Sequence, residues 1–165
     1  MSTLERALEI AAKAHAGQVD KQNNPYILHP IRIMLRMHTD EERIVAILHD
    51  TVEDTADKPE SERVTFDSLR AAGFPEKIVA AVDSVTRRKG EQYLSGLIER
   101  AKLDPIGIEV KLGDLADNTD PSRPNPVDRW ASLLKKYEKA KDRLLAWKEI
   151  ARKERELKRL KEAEP

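Results

Sequence analysis

Apolar residues recur at three- and four-residue spacing through the hydrophobic segments of this chain, and no stretch alternates apolar with polar residues as a half-buried strand would. That periodicity confines the fold to helix packed on helix. Leu4, Ala7, Leu8 and Ala11 follow a Ser2/Thr3 cap and predict a first helix to about His15, stopped at Gly17. Ile31, Ile33, Met34, Leu35 and Met37 predict a second, ending near His38. Pro30 suits its first turn and biases His29 toward an extended backbone at the helix entrance. Acidic Asp40, Glu41 and Glu42 open a third, which carries the run Ile44-Val45-Ala46-Ile47-Leu48 into His49-Asp50. Thr65 caps a short helix ending at Gly73, and Pro75 opens another through Val85. Tyr93 to Ile98 and the segment after Asp104-Pro105 predict two more. Pro121, Pro124 and Pro126 interrupt the chain before a final helix from about Val127, with an apolar stripe from Trp130 to Trp147. Roughly seven to nine helices in one all-α domain are expected. Residues 1–147 would form it, with 148–165 as a charged helical extension, frayed at its end.

Charge excludes several classes of function. Thirty basic and thirty acidic residues cancel, so there is no global electrostatic pull toward nucleic acid or an anionic membrane. No apolar run is long enough to span a bilayer, and Met-Ser-Thr-Leu-Glu-Arg has no apolar signal core, so a cytoplasmic protein is expected. With no cysteine, any metal site must be built from histidine and carboxylate.

Those ligand types cluster. His49-Asp50 ends an apolar helix, and Glu53 and Asp54 fall four residues later on the same face. His29 stands beside its proline. Asp114 lies inside an apolar helical pattern, where a carboxylate is costly unless paired or ligated, and Asn118 shares its face. His38, beside Thr39-Asp40, reads as a loop residue. Taken singly, each is also what a helix terminus or surface loop shows. Together, two histidines and two carboxylates could hold one divalent ion, with Mn²⁺, Fe²⁺ and Zn²⁺ left open by the donor set. Glu53 and Asp54 could then take a proton from water, and Lys21 and Arg87-Arg88-Lys89 could hold phosphate oxygens. The chemistry is metal-assisted phosphoester or pyrophosphate-ester hydrolysis.

The order His29, His49-Asp50, Asp114 resembles the HD-domain metal-dependent phosphohydrolases. Four motifs are similar to the hydrolase domain of the RelA/SpoT family and its small stand-alone alarmone 3′-pyrophosphohydrolases. They are Ala14-His15-Ala16-Gly17-Gln18, Pro25-Tyr26-Ile27-Leu28-His29-Pro30, Leu48 through Thr55, and Val110 through Asn118. The resemblance implies a helical HD-domain fold and Mn²⁺ on His29, His49, Asp50 and Asp114. It implies that Glu53 and Asp54 position and activate water, that Asn118 and Tyr137 lie near the nucleotide, and that Lys21 meets phosphates. The implied substrate is guanosine tetra- or pentaphosphate, cleaved at the 3′ position. The family's usual Arg-Lys is Asp20-Lys21 here, and a carboxylate repels polyphosphate; Arg87 or Arg88 would have to supply the missing cation. That departure keeps open another phosphorylated nucleoside as substrate, and a non-catalytic nucleotide-binding module is the third reading. An oligomer is compatible with all three.

Overall fold

The computed structural model describes residues 3–122 and 130–162. It contains α1 (Leu4–Ala14), α2 (Leu28–Met34), α3 (Asp40–Leu48), α4 (Thr51–Asp54), α5 (Phe66–Ala71) and α6 (Glu76–Val85). A π-helical turn at Tyr93–Leu97 leads into α7 (Ile98–Ala101), followed by α8 (Pro105–Asn118) and α9 (Trp130–Glu162). The only extended pairing among the described residues is an isolated bridge, Val19 with Pro25. The fold is all-α, as the periodicity predicts.

Local chemistry sets the boundaries. Thr3 and Asp104 accept backbone N–H groups at the starts of α1 and α8. Thr39 with Glu42, and Thr65 with Ser68, form reciprocal caps on α3 and α5. Each such cap stabilises its helix by about 1 kcal/mol. Gly17 and Gly73 take φ of +75° and +92° just beyond α1 and α5, a left-handed backbone that glycine adopts without steric cost.

Helix α3 is the axis of the molecule. Ile44 through Leu48 are buried on all sides, because α1, α2, α6 and α8 each pack against it. A second apolar cluster, Ile98, Ile108, Leu115, Ala140 and Leu144, joins α7, α8 and α9. Gly113 marks the closest approach of α8: a Cβ there would lie 2.8 Å from Met37 Cε and 3.1 Å from Ile33 Cγ2. Helix α9 is continuous through Lys148, but beyond Ala151 its described residues are exposed.

Two details depart from the sequence expectation, and a third falls outside the described residues. His29 is not extended but lies inside α2, whose first turn begins at Leu28; its N–H is bonded to the Tyr26 carbonyl at 2.8 Å. Helix α2 stops at Met34, short of His38, which is an exposed loop residue. Val127 and Pro124 and Pro126 lie outside the described residues, so the start of the last helix is seen only from Trp130.

Candidate active site

His29 is oriented from behind. Its Nδ1 lies 2.8 Å from Asp117 Oδ2. Asp117, wholly buried at its side chain, also accepts from Arg32 Nε at 2.7 Å and Arg36 Nη1 at 3.3 Å. An ionised carboxylate only accepts, so Nδ1 carries the proton and Nε2 faces the site. There Nε2 is 3.3 Å from Asp114 Oδ1 and 3.6 Å from Asp50 Oδ2. His49 follows the same logic: Nδ1 donates to the Ala46 carbonyl at 2.8 Å, and Nε2 is buried without a hydrogen-bond partner. Asp50 Oδ2 is 2.9 Å from that nitrogen but off its hydrogen-bonding direction. Ligand atoms of His29, His49 and Asp50 all lie within 4.8 Å of one another.

Asp114 adjoins this trio through His29. Its Oδ2 is 2.6 Å from the buried Lys111 Nζ, and Oδ1 accepts from the Asn118 amide. Asp50 accepts from Tyr26 Oη at 2.6 Å. Burial disfavours charge on both carboxylates, yet His49 beside Asp50 and Lys111 beside Asp114 hold them well below the usual carboxylate range. Burial likewise opposes the His29 imidazolium, but hydrogen bonds to Asp114 and Asp117 and the charge of Asp50 push it up to about 10. An orphaned, inward-facing imidazole nitrogen, a second beside it and two ionised carboxylates make a donor set that fits a divalent cation.

The two remaining carboxylates stand on α4, displaced from the first set because α3 ends at Leu48 and His49-Asp50 make a turn. Glu53 Oε2 accepts from the Arg87 backbone N–H at 3.0 Å, and Asp54 Oδ2 from Gln18 Nε2 at 2.8 Å. Both carboxyls are raised above their ordinary pKa, chiefly by burial and further by the charge of Asp50. They are therefore the more basic acids of the site.

His29, Asp50, Asp114, Glu53 and Asp54 line a cleft of about 430 Å³; His49 is not part of its lining. Lys21, Arg87 and Lys136 also line it, as do Tyr93, Tyr137 and Leu97, which supply ring and apolar surface. The tyrosine rings lie 6.0 Å apart, and Lys136 Nζ sits 4.5 Å from the Tyr93 ring centre. Lys136 is lowered in pKa by burial and by Arg87, Lys111 and Lys21, so cations are crowded together here. Arg88 is not brought to the cleft; it is exposed and pairs with Asp83 at 2.9 Å. Asn118 and Tyr137 line it, although the Asn118 amide is engaged with Asp114.

Asp20 also lines the cleft, and its backbone role explains the residue type. Its Oδ1 accepts from the Gln22 and Asn24 N–H groups, both at 2.9 Å, closing the loop that carries Lys21. Sequence reasoning assigned no role to Asp117, Lys136, His15, Gln18 or Tyr26. All but Lys136 lie in the motifs that carry the family resemblance. Asp117 follows Asp114 by one helical turn, whereas Lys136 is one lysine among many.

The chain is 32% identical over 127 residues to guanosine-3′,5′-bis(diphosphate) 3′-pyrophosphohydrolase of Aquifex aeolicus, covering 70% of this chain and 17% of that protein. It is 36% identical over 86 residues to a protein of the same name from Borreliella burgdorferi, covering 50% of this chain and 12% of that one. The chain thus spans under a fifth of the length of these relatives. The solved structure of a metazoan SpoT orthologue described as hydrolysing ppGpp superposes with a TM-score of 0.67 at 22% identity, covering 93% of this chain and 96% of that one; this likeness is one of fold. The family described as HD domain matches residues 7–105, a stretch that carries His29, His49, Asp50, Glu53 and Asp54 and stops before Asp114. With more than half of its length so matched, the chain belongs to the HD-domain family.

Proposed function

We propose that this chain is a metal-dependent phosphohydrolase that cleaves guanosine 3′,5′-bis(diphosphate), and the related pentaphosphate, with water to release pyrophosphate from the 3′ position. The observation that carries the reading is the company kept in one cleft: His29, Asp50 and Asp114, with His49 beside the first two, share it with the cations Lys21, Arg87 and Lys136 and with the two more basic carboxylates, Glu53 and Asp54. The activity for which the Aquifex and Borreliella relatives are named supports the choice of substrate.

His29, His49, Asp50 and Asp114 would hold one divalent ion, Mn²⁺ by preference. When bound, that ion supplies Lewis acidity that makes water easier to deprotonate and the phosphoryl group more electrophilic. Glu53 and Asp54 orient the attacking water and receive its proton; their raised pKa makes them better bases than an exposed carboxylate. Arg87, Lys136 and Lys21 hold phosphate oxygens, and Tyr93 with Tyr137 offers a wall against which a purine can lie. Lys136 answers the problem raised by Asp20, since it adds a cation to the same cleft. The catalytic unit is residues 1–147 of a cytoplasmic enzyme, and 148–165 is its extension; the exposure of α9 beyond Ala151 supports that division.

A second reading, hydrolysis of another phosphorylated nucleoside at the same metal site, is favoured by one observation, the Asp20 carboxylate in the cleft lining. Incubating purified protein with Mn²⁺ and a panel of nucleotides, with products resolved by chromatography, separates the two. Pyrophosphate and a guanosine 5′-phosphate product formed fastest from the 3′-pyrophosphorylated nucleotides is the expected result. Faster turnover of nucleotides lacking a 3′-pyrophosphate moves the assignment to the second reading.

A further inference from the structure

Asp114 and Asp117 differ from Glu53 and Asp54 in the charge of the donors that hold them. Asp114 is held by Lys111, and Asp117 by Arg32 and Arg36. Glu53 and Asp54 are held by neutral donors, a backbone N–H and the Gln18 amide. Behind Gln18 the chain of neutral groups continues. Gln18 Oε1 lies 2.8 Å from His15 Nδ1, and His15 has a fully buried side chain that is not part of the cleft lining. The hydrogen-bond roles along this chain are forced. Ionised Asp54 can only accept, so the amide NH₂ of Gln18 faces it; Oε1 then faces His15 and can only accept, so the imidazole proton sits on Nδ1. Nε2 is left buried as a bare lone pair without a hydrogen-bond partner. Burial, the largest influence, holds the His15 pKa below its ordinary value, although Asp54 Oδ2 is only 3.7 Å away. The Tyr26 ring, 5.0 Å from the imidazole, packs against it and fixes its place.

We propose that His15 and Gln18 are positioning residues for Asp54, a neutral relay that fixes one carboxylate oxygen in place while sparing the basicity that a lysine or arginine donor would remove. A cation at the same distance would favour the ionised form and weaken the base. An amide fixes direction with much less of that effect, provided its own flip is locked, and locking it is the task of the Nδ1–H of His15.

The kinetic part of this inference rests on the hydrolase reading; the tautomer does not. Gln18→Met keeps length and removes both hydrogen bonds. It is expected to lower kcat by about 10–100-fold, the scale of lost outer-shell contacts, with KM and the Mn²⁺ affinity followed by electron paramagnetic resonance little changed. His15→Phe keeps the packing against Tyr26 and should lower kcat in the same way. His15→Asn, which returns an N–H donor near the Nδ1 position, should recover most of the loss. The double variant Gln18→Met/His15→Phe should be no slower than Gln18→Met alone, since both break one chain. In the unaltered, metal-free protein, ¹⁵N shifts should show His15 neutral at pH 7 with its proton on Nδ1. A proton on Nε2, a charged ring, additive losses in the double variant, or an effect carried by KM or Mn²⁺ affinity would each overturn the relay. If the unaltered protein turns over no nucleotide, the hydrolase reading fails and the ¹⁵N result alone decides the relay.

Discussion

On the proposed ligation, the His29 proton and a divalent ion would compete for one position, and the competition has a calculable size. In the metal-free site the pKa of His29 rises from 6.5 to about 10, burial being outweighed by Asp114, Asp117 and Asp50. Below that pH, Nε2 carries a proton between Asp114 Oδ1 at 3.3 Å and Asp50 Oδ2 at 3.6 Å. A histidine ligand must be neutral, so ion entry releases this proton, and each unit of acidification lowers apparent affinity tenfold. At pH 7 the gap is about three units, or ~4 kcal/mol at ~1.36 kcal/mol per unit. His49, raised by Asp50 and Asp114 against the opposing effect of burial, adds to the release. Titrating Mn²⁺ into metal-free protein by calorimetry, in buffers of different ionisation enthalpy at pH 7, should show at least one proton leaving per ion. Affinity should climb steadily from pH 6.5 to 9. Heats independent of buffer, with a flat affinity across that range, would refute the reasoning and leave His29 neutral before the ion arrives.

The same shift has a consequence for stability. A raised folded-state pKa means that the His29 contribution is fully present below about pH 6.5 and is lost as pH rises through about 10, so urea midpoints of the metal-free protein should fall across that window. Glu53→Gln should retain the ion but lose rate by roughly 10²–10⁴; loss of the ion with the rate would make Glu53 a ligand. Asp50→Ala should abolish both ion binding and turnover while leaving an all-α circular dichroism spectrum, and metal analysis showing full occupancy with normal activity would contradict its role. Arg87→Ala and Lys136→Ala should each raise KM for the polyphosphate by about tenfold or more, as expected for a lost charge-assisted contact, whereas Arg88→Ala should leave KM within about twofold.

Much of this architecture is legible in the chain because its helices announce themselves at both ends. Thr65 and Asp104 cap, Gly17 and Gly73 stop, and Ile44–Leu48 is apolar on every face because it lies in the middle of the packing. The meeting of His29, His49 and Asp50 follows from residues that carry recognisable chemistry. What could not be read is relational. Asp117 and Lys136 are ordinary helical residues until α8 is set against α2 and α9 against the π turn. The backbone of His29 shows a local preference overridden: proline disfavours a helical predecessor, but hydrogen bonds around His29 to Tyr26 and Asp117 hold it in the first turn. Asp20 shows the reverse, a residue judged by its charge whose carboxylate is spent on two backbone N–H groups of its own loop.

Gly113 has no side chain to offer an ion, yet its packing would set the aperture of the proposed metal site. It precedes Asp114 and lies against Ile33, one turn along α2 from His29, so the spacing between these helices is also the span between two ligands. Because a Cβ at 113 would come within 2.8 Å of Met37 and 3.1 Å of Ile33, even alanine must lever α8 outward or displace those side chains. If Asp114 and His29 hold the ion as proposed, ionic radius is coupled to interhelical distance. A lineage could shift its preference from a smaller to a larger cation by one substitution in the packing, leaving every coordinating side chain as it was.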